Sequence, residues 1–363
     1  MKCNSKSRVL NSLKHKEPDK VPVDFWSTKE TDAKLLKYLN LKSREDLLEY
    51  FDVDFRYIKG PEYIGPELKR YADGSDEDIW GVPRRVKYAG NGDKMQSYKA
   101  VTNPPLAFAD NIKDVENYNH WPSMDWLDFS NISSQCEECQ DKAVLFMGDR
   151  LNRIAQWKPA QYLRGMEQIM MDMVINKSVF EAIIEKISVF YQAYLEKILQ
   201  VAEGKIDIIV TGDDFGTQNG LMCSPEMWRK FFRKGFKAFI NIAKKYDVPV
   251  LHHTCGSVYD IIPDMIDCGL SVLNPLQPGT KNMEHQKLKR EFGKDLCFHG
   301  SVSIQTNLPF GTPLDVKKEV KDCMKNLAPE GGFFICTAHN IQADTSVENI
   351  LALIEAYHEY GRY

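Results

Sequence analysis

A histidine and a cysteine stand two residues apart in the segment 249–256, which has the sequence PVLHHTCG. Side chains on a β-strand alternate between its two faces, so His253 and Cys255 are expected to share one face and His252 to point the opposite way. Imidazole and thiolate are two of the ligand types that zinc binds in proteins. Free cysteine is also among the most buried residue types. The pair therefore indicates either a metal site or two core residues.

Eight short apolar runs, most of them separated by helical patterns, are the elements that must position this pair. Continuous apolar runs are typical of parallel strands that are buried on both faces. The strands are predicted at 21–26, 53–58, 143–148, 206–212, 249–255, 271–276, 296–301 and 332–337. Long helices are predicted over 160–174, 177–203 and 224–246. Eight β/α units predict an α/β fold, a (β/α)8 TIM barrel.

Two further features complete the expected architecture. Residues 60–105 mix Gly, Pro and aromatic residues in short alternating pieces and predict an inserted β-hairpin excursion near the N-terminus, which would cover the barrel mouth as a lid or pack on its rim. The whole chain, 1–363, is expected to be a single domain. A doubly wound open sheet is the alternative fold, but no GxGxxG turn follows the first strand, which counts against a dinucleotide-binding version.

Chemistry in a TIM barrel takes place at the carboxyl ends of the strands, and here those ends are rich in polar residues. In strand order they are Asp24 and Trp26, Arg56 and Tyr57, Asp149 and Arg150, Asp213 and Asp214, His253 and Cys255, Asn274 and Gln277, His299 and Ser301, and Cys336 and His339. Barrel closure places the fifth and eighth strands across the mouth from each other. His253 and Cys255 could then meet a third ligand from the eighth strand, the set that a catalytic zinc site needs.

Roles for the other residues follow from their types. Asp213 and Asp214 are candidates for substrate orientation or general acid/base catalysis, with a turn cap as the alternative for one of them. Gln277 is a third catalytic candidate. Candidate substrate-binding residues are Trp26, Tyr57, Arg150 and Asn340, although Asp149 and Arg150 would equally form a local ion pair. Packing is the better interpretation for His252 and His299, and the CxxC at 136–139 is expected to be incidental.

Composition excludes several classes of protein. The 363 residues are 43% hydrophobic and 27% charged, which argues against wholesale disorder. A net charge of −4 gives no basic footprint for nucleic acid. Apolar runs fall short of the roughly 20 residues that span a bilayer, and the polar N-terminus lacks a signal-peptide core. The nine cysteines show no small-domain disulfide pattern, so we expect free thiols in a cytoplasmic protein.

Several separated motifs give the chain a family resemblance. The motifs are HTCG at 253–256, GDDFGTQNG upstream of it, SPEMWRKFF between them, NPLQP after it, and AHNIQADTSVENILALIEAYHEYG near the end. In this order they resemble the uroporphyrinogen decarboxylase superfamily over most of the chain beyond about residue 140. The resemblance implies a TIM barrel and one of two activities: decarboxylation of a tetrapyrrole, or cobalamin-dependent methyl transfer to coenzyme M or from methoxylated and methylated substrates.

Two departures separate these branches. The decarboxylase branch carries an Arg-Gln-Ala-Gly-Arg run after its first strand, and this chain has VPVDFWSTKETD there instead. The methyltransferase branch has a His-x-Cys pair, matched by His253 and Cys255, and a distant cysteine as zinc ligands. By register that cysteine falls on His339, whereas Cys336 matches it in chemistry, so both stay open as the third ligand.

The resemblance and the ligand pair together predict a zinc-dependent methyltransferase. It would move a methyl group between a small methoxylated, methylated or thiol substrate and a corrinoid (cobalamin) carried by a partner protein. A decarboxylase of a porphyrin-type or other carboxylated substrate is the first alternative, and a non-catalytic corrinoid- or metabolite-binding barrel is the second. A homodimer is a further expectation, and no nucleic-acid or membrane partner is expected.

Overall fold

A ring of parallel strands forms the centre of the molecule. The computed structural model describes residues 3–148 and 153–363. The central sheet has the order β1-β7-β8-β9-β10-β11-β12, and its neighbouring strands pair in parallel. These strands are β1 (Phe55–Ile58), β7 (Ala143–Phe146), β8 (Ile208–Gly212), β9 (Val250–His253), β10 (Val272–Asn274), β11 (Cys297–His299) and β12 (Phe333–Phe334).

The predicted first strand, 21–26, closes the ring between β12 and β1. The Asp24 N–H donates to Ile335 O at 2.9 Å, and the Asp54 N–H donates to Val23 O at 2.9 Å. The predicted TIM barrel is thereby confirmed. The observed strands are shorter than predicted, at one end or at both: β9, for instance, ends at His253, so Cys255 lies on the following loop.

Helices surround the barrel and cover its amino-terminal end. They are α1 (Ser5–Leu13), α2 (Lys29–Leu39), α3 (Arg44–Tyr50), α4 (Ile112–Glu116), α5 (Ile132–Glu137), α6 (Trp157–Arg164), α7 (Met166–Ile175), α8 (Lys177–Ala202), α9 (Pro225–Phe231), α10 (Arg233–Lys245), α11 (Ile262–Cys268), α12 (His285–Phe292), α13 (Asn307–Phe310), α14 (Pro313–Leu327) and α15 (Val347–Tyr360). Short 3-10 helices span Gly92–Lys94, Met124–Trp126 and Tyr259–Ile261. None of the helices in the described ranges is long and apolar enough to cross a membrane.

Three helical expectations needed correction. The helix predicted at 160–174 is two helices, α6 and α7, because Gly165 between them adopts a φ of +89°. The helix predicted at 224–246 is likewise divided, into α9 and α10 at Phe232. The third correction is an omission: no helix was predicted at α12, where polar residues predominate and Leu288 is the one buried residue.

The predicted insertion is present as a small antiparallel sheet. It consists of β3 (Asp76–Glu77), β4 (Pro83–Ala89) and β5 (Gln96–Val101), with β4 and β5 forming the hairpin. A separate ribbon pairs β2 (Glu62–Tyr63) with β6 (Leu127–Asp128). A buried ion pair lies within the insertion: the Arg84 Nε–H donates to Asp78 at 2.7 Å.

Two apolar cores support the barrel. The inner one fills the barrel with side chains such as Phe55, Leu145 and Leu251, and Val9 of α1 joins it from below. The outer one packs the helices against the strands. The α1 helix is fixed across the amino-terminal end, where the Ser12 hydroxyl donates to Phe333 O at 3.1 Å. That end is thereby closed, and the carboxyl end is left for a site.

Candidate active site

Three side chains that could hold a metal ion meet at the carboxyl end of the barrel. The ligand atoms of His253, Cys255 and His339 all lie within 4.8 Å of one another. Cys255 Sγ is 3.4 Å from His253 Nε2. Gly256, with a φ of +84°, turns the chain directly after Cys255, and a Cβ there would lie 2.4 Å from the backbone of Gly216. The close approach of these two loops requires glycine and holds the Cys255 loop against the loop that follows β8.

Cys336 does not join this group. It belongs to a second, fully buried cluster with Asp24 and His299. Among the residues with described positions, these two clusters are the groups of three with metal-binding potential. Cys336 lies two residues beyond β12, inside the barrel, whereas His339 lies three residues further along at the mouth. The structure therefore places His339, the residue favoured by register, beside the predicted pair.

A chain of buried hydrogen bonds connects the two clusters. His253 Nδ1 lies 2.5 Å from Asn274 Oδ1, the Asn274 Nδ2–H donates to His299 Nδ1 at 2.7 Å, and the His299 Nε2–H donates to Asp24 Oδ2 at 2.9 Å. Because Asn274 Oδ1 is an acceptor, His253 carries its proton on Nδ1. Its Nε2 therefore carries no proton, and its lone pair faces Cys255. A histidine that binds a metal needs such an unprotonated ring nitrogen.

Trp26 and Tyr57, both predicted to bind substrate, extend this series of hydrogen bonds from Asp24. The Tyr57 hydroxyl donates to Asp24, and the Trp26 Nε1–H donates to the Tyr57 hydroxyl at 2.9 Å. The Trp26 ring lies 5.8 Å from the ring of His253, centroid to centroid. In this position the two residues order the barrel interior beneath the three candidate metal ligands.

Asp214 lies beside the ligand pair. It forms an ion pair with Lys158, accepts the Cys255 N–H at 3.1 Å, and comes within 3.8 Å of His253 Nε2. Burial opposes its ionisation, but the charge of Lys158, the neighbouring His253 and the hydrogen bonds from Lys158 and the Cys255 N–H together outweigh burial and hold the pKa of Asp214 well below its usual range. Asp214 is thus an ionised group that fixes the Cys255 loop.

Asp213 occupies a different environment, although it is adjacent in sequence. Its two carboxylate oxygens accept the backbone N–H groups of Gln156 at 2.7 Å and Lys158 at 2.8 Å, at the start of α6. Burial raises the pKa of Asp213 to about 7. Asp213 therefore holds the backbone at the start of α6. This is close to the predicted alternative of a turn cap, except that the capped segment precedes Asp213 in the chain.

The remaining predicted residues are distributed around the same mouth. Gln277 Oε1 accepts the Gly256 N–H at 2.8 Å and so fixes the Cys255 loop from the β10 side. Asn340 lines a cavity next to His339. Arg150, the fourth predicted substrate-binding residue, lies outside the described residues.

Two cavities are lined by members of the group His253, Cys255 and His339. One, of about 350 Å³, is lined by His253, His339, Arg153, Lys158 and Tyr98 of the insertion, among others. The other, of about 290 Å³, lies on the opposite side and is lined by Cys255 and His339 together with neutral residues such as Gln277 and Ile304. Both volumes are near the lower end of the range for small-molecule sites, about 300–1,000 Å³.

Burial sets the protonation of the candidate ligands. It lowers the pKa of His253 to about 3, with the nearby Arg153 charge acting in the same direction, so the imidazole is neutral. Burial and the Asp214 charge raise the pKa of the Cys255 thiol to about 12. A metal ion would therefore find an available imidazole nitrogen and would displace the thiol proton on binding.

The other histidine and cysteine candidates have packing roles. His252 points away from the barrel interior. Its Nδ1 forms a hydrogen bond with the Thr211 hydroxyl at 2.8 Å, and its ring stacks on Phe215. Cys136 lies in α5 and Cys139 lies two residues after its end. Burial raises the pKa of both thiols.

Sequence reasoning missed two residues that the structure brings to the site, Arg153 and Lys158. Asn274 was among the polar residues predicted at the strand ends, but no role was assigned to it. Arg153 and Lys158 lie in the connection after β7, where no strand-end rule applies. Their positions depend on how that connection folds back over Gly212.

Known proteins resemble this chain in sequence and in fold. The model of the uroporphyrinogen decarboxylase (URO-D) family matches residues 153–360. Methylcobamide:CoM methyltransferase MtaA of Methanosarcina barkeri is 29% identical over 207 residues, which cover 54% of this chain and 57% of that protein. A methylated-thiol–coenzyme M methyltransferase of Methanosarcina mazei is 23% identical over 205 residues, covering 56% of this chain and 51% of that protein. The chain thus matches little more than half the length of these curated relatives.

A solved structure extends the similarity in fold to the whole chain. A methyltransferase from Methanosarcina mazei superimposes with a TM-score of 0.66 over 98% of this chain and 99% of that one, at 17% identity. At this level of identity the similarity concerns the fold.

Proposed function

The chain belongs to the uroporphyrinogen decarboxylase family, and from this premise we propose that it is a zinc-dependent methyltransferase. It would move a methyl group between a small methoxylated, methylated or thiol substrate and a corrinoid on a partner protein. The observation that carries this proposal is the meeting of His253, Cys255 and His339 at the barrel mouth. The names of the relatives, which include methylcobamide and thiol methyltransferases, support the same reaction class.

The donor set fits zinc. Two imidazoles and one thiolate are borderline-soft ligands that zinc accepts, and three protein ligands leave one position for substrate. The hydrogen bond from His253 Nδ1 to Asn274 leaves the other ring nitrogen available as a ligand. When bound at such a set, zinc acts as a Lewis acid on the substrate heteroatom that gains or loses the methyl group.

The residues around the candidate ligands fix the loop that carries Cys255. Lys158 keeps Asp214 ionised, and Asp214 in turn fixes the Cys255 backbone. Gln277 holds the same loop from its other side. Loss of either contact would release the loop that carries Cys255. Asp214 is therefore assigned a positioning role in place of acid/base catalysis, and Gln277 a positioning role in place of its predicted catalytic one.

The corrinoid enters as a co-substrate on a partner protein. In the demethylation direction, the bond between the methyl carbon and the substrate heteroatom breaks and its electron pair stays on the heteroatom. Cob(I)alamin supplies the electron pair of the new cobalt–carbon bond, giving methylcob(III)alamin, and the heteroatom anion takes up a proton. With a methoxylated substrate this reaction is an O-demethylation.

The test combines metal analysis with a spectroscopic assay of cobalamin methylation. Purified protein is expected to contain one zinc per chain and to methylate cob(I)alamin from at least one member of a panel of methoxylated and methylated donors. C255A and H253A should lose both zinc and activity. C223A, which removes a partly buried cysteine outside the site, should lose neither.

Other outcomes would contradict the proposal. A protein without zinc that decarboxylates uroporphyrinogen would establish the decarboxylase alternative. Full retention of every measured function in C255A and H253A would indicate a non-catalytic binding barrel.

A further inference from the structure

The α7 helix turns apolar side chains outward and a charged one inward. Its exposed apolar residues are Met166, Met171, Val174 and Ile175, the last of them 72% exposed. Glu167 is the one charged residue on the exposed side of this helix. A surface helix of a globular protein normally shows the opposite arrangement, with an apolar stripe facing the core and polar residues in water.

A buried ion pair fixes this rotation of α7. Asp172 is fully buried on the inward side, where the Arg164 Nε–H of α6 donates to it at 2.7 Å. Ile169 and Met173 are buried on the same side. Turning the helix to bury its outward residues would withdraw Asp172 and leave the buried Arg164 unpaired, which is strongly destabilising. The apolar side therefore stays in contact with solvent unless another molecule covers it.

The loop that precedes α4 extends this apolar surface, because it runs alongside α7. At one end the Leu106 N–H donates to Leu163 O at 2.8 Å, shortly before α7 begins. At the other end the Asn176 Nδ2–H donates to Asp110 O at 3.2 Å, directly after α7 ends. Between these contacts Phe108 points outward and is 95% exposed. The resulting α7 patch comprises Phe108, Ile112, Met166, Met171, Val174 and Ile175.

The α7 patch is large for the surface of a monomer. Its six residues are between 42% and 95% exposed and together present an area on the order of 600–700 Å². The largest apolar patch of a soluble monomer is usually about 300–600 Å² and is often functional. A specific interface buries about 800 Å² on each partner. The patch with a narrow polar border therefore has the size that a stable dimer needs.

The charges at the border of the patch favour a second copy of this chain as its partner. Glu167 lies in the first turn of α7, and Lys177 lies two residues after its end; both are exposed. A two-fold axis brings a surface against itself, so that each contact occurs twice. With the axis near Met171 and the two helices antiparallel, Glu167 would meet Lys177 of the partner subunit, and the reciprocal pair would form as well.

We propose that the α7 patch is a homodimer interface, in which two α7 helices pack antiparallel across a two-fold axis. The apolar residues of the patch form its centre, and Glu167 and Lys177 form ion pairs at its border. This interface goes beyond the proposed function and does not depend on it.

Sedimentation velocity of the full chain tests the interface. The wild type is expected to be a dimer at micromolar concentration. V174E should raise the dimer Kd at least about 100-fold, because it buries two unpaired carboxylates at the centre. F108S, which changes a loop residue, should raise it about 10-fold. L314E is the matched control, since Leu314 is 76% exposed on α14, across the barrel from α7, and its dimer should be as tight as the wild type.

Reversal of the border charges tests the antiparallel arrangement. E167K alone and K177E alone are each expected to raise the dimer Kd about 3- to 10-fold, since each creates two contacts between like charges. The double variant E167K/K177E restores opposite charges at both contacts and should return the Kd to the wild-type value.

Thermal unfolding provides a further measurement. The Tm of the wild type should rise with protein concentration, whereas V174E should keep the wild-type circular dichroism spectrum and a Tm that is independent of concentration. A monomeric wild type would overturn the proposal, even if the patch binds a different protein. A dimer that both V174E and F108S leave intact would overturn it too, as would additive weakening in E167K/K177E. None of these measurements involves zinc or methyl transfer, so the interface and the proposed function can fail separately.

Discussion

His253 illustrates how one side chain acquires its role from its neighbours. Its ring lies at the end of β9, but its tautomer is set by Asn274 on β10, and Asn274 is itself oriented by His299 on β11. Asp24 completes the chain from the segment that closes the barrel. Four elements therefore determine which nitrogen of one imidazole can bind a metal.

Asn274→Ala tests this dependence. We expect zinc affinity to fall about 10- to 100-fold, because His253 loses the acceptor that fixes its tautomer. The measurement is a competition titration with a zinc chelator. Asn349→Ala is the matched control, since Asn349 is also buried and donates to two backbone carbonyls far from the site. It should lower the melting temperature without changing zinc affinity, and an equal loss of affinity in both variants would contradict the tautomer role.

The third ligand is decided by a second pair of variants. His339→Ala is expected to reduce zinc affinity at least 100-fold, because a two-ligand site is incomplete. Cys336→Ala should leave one zinc per chain, since the thiol lies in the separate cluster with Asp24. Metal content after dialysis distinguishes the two. Loss of zinc in C336A with retention in H339A would return the assignment to the thiol.

At the scale of elements, the β4–β5 hairpin reaches from the insertion to the barrel mouth. Ser97 is fixed to α2, where its N–H and hydroxyl both donate to Glu30 Oε1, at 3.2 and 3.0 Å. The adjacent Tyr98 lines the cavity with Arg153. The insertion therefore forms part of the cavity wall.

Tyr98→Ala is expected to raise the KM for the transferred substrate several-fold, because the cavity loses one aromatic wall, while kcat changes little. Tyr88→Ala is the control on the same hairpin: Tyr88 is paired with Ser97 across the strands and is 68% exposed. Steady-state kinetics with the best donor of the panel provide the measurement. Equal KM values for Y98A and the wild type would remove Tyr98 from the substrate site.

The whole molecule divides into an end that closes the barrel and an end that carries the site. At the closed end Arg8 of α1 forms an ion pair with Asp54, whose side chain is fully buried. Asp54 also accepts the Val23 N–H at 2.8 Å, which joins the closing segment to β1. Burial raises the pKa of Asp54, and the positive charge of Arg8 opposes this shift.

Arg8→Met should lower the free energy of unfolding by about 3–5 kcal/mol, because it leaves a buried carboxylate unpaired. Without Arg8, the folded-state pKa of Asp54 rises further above its unfolded value. The proton is then bound more tightly in the folded state, so stability is greatest at low pH and is lost as pH rises through the folded pKa. The variant should therefore lose more stability at pH 8 than at pH 5, as measured by urea unfolding.

Two controls accompany this variant. Zinc affinity of R8M should equal that of the wild type, since α1 lies at the end of the barrel opposite the site. Arg85→Met breaks an exposed ion pair with Asp73 and should change stability little at either pH. A loss that is equal at both pH values would contradict the buried-carboxylate explanation.

The sequence by itself determined the barrel and the proximity of His253 to Cys255. Parallel strands buried on both faces must be apolar, so the eight runs are visible in the sequence. His253 and Cys255 are two positions apart and remain neighbours although β9 ends at His253. Helix boundaries were less accessible, because Gly165 and Phe232 divide patterns that are continuous in hydrophobicity. The family resemblance added the register that pointed to His339.

Only the tertiary structure decided between residues that are close together in the sequence. Cys336 and His339 are three residues apart, and which of them reaches His253 depends on where the chain leaves β12. Asp213 and Asp214 are adjacent, yet one holds α6 and the other the Cys255 loop. The rotation of α7, which buries Asp172 and exposes Val174, is likewise invisible in a sequence, because it depends on the ion pair that Asp172 forms with Arg164 of α6.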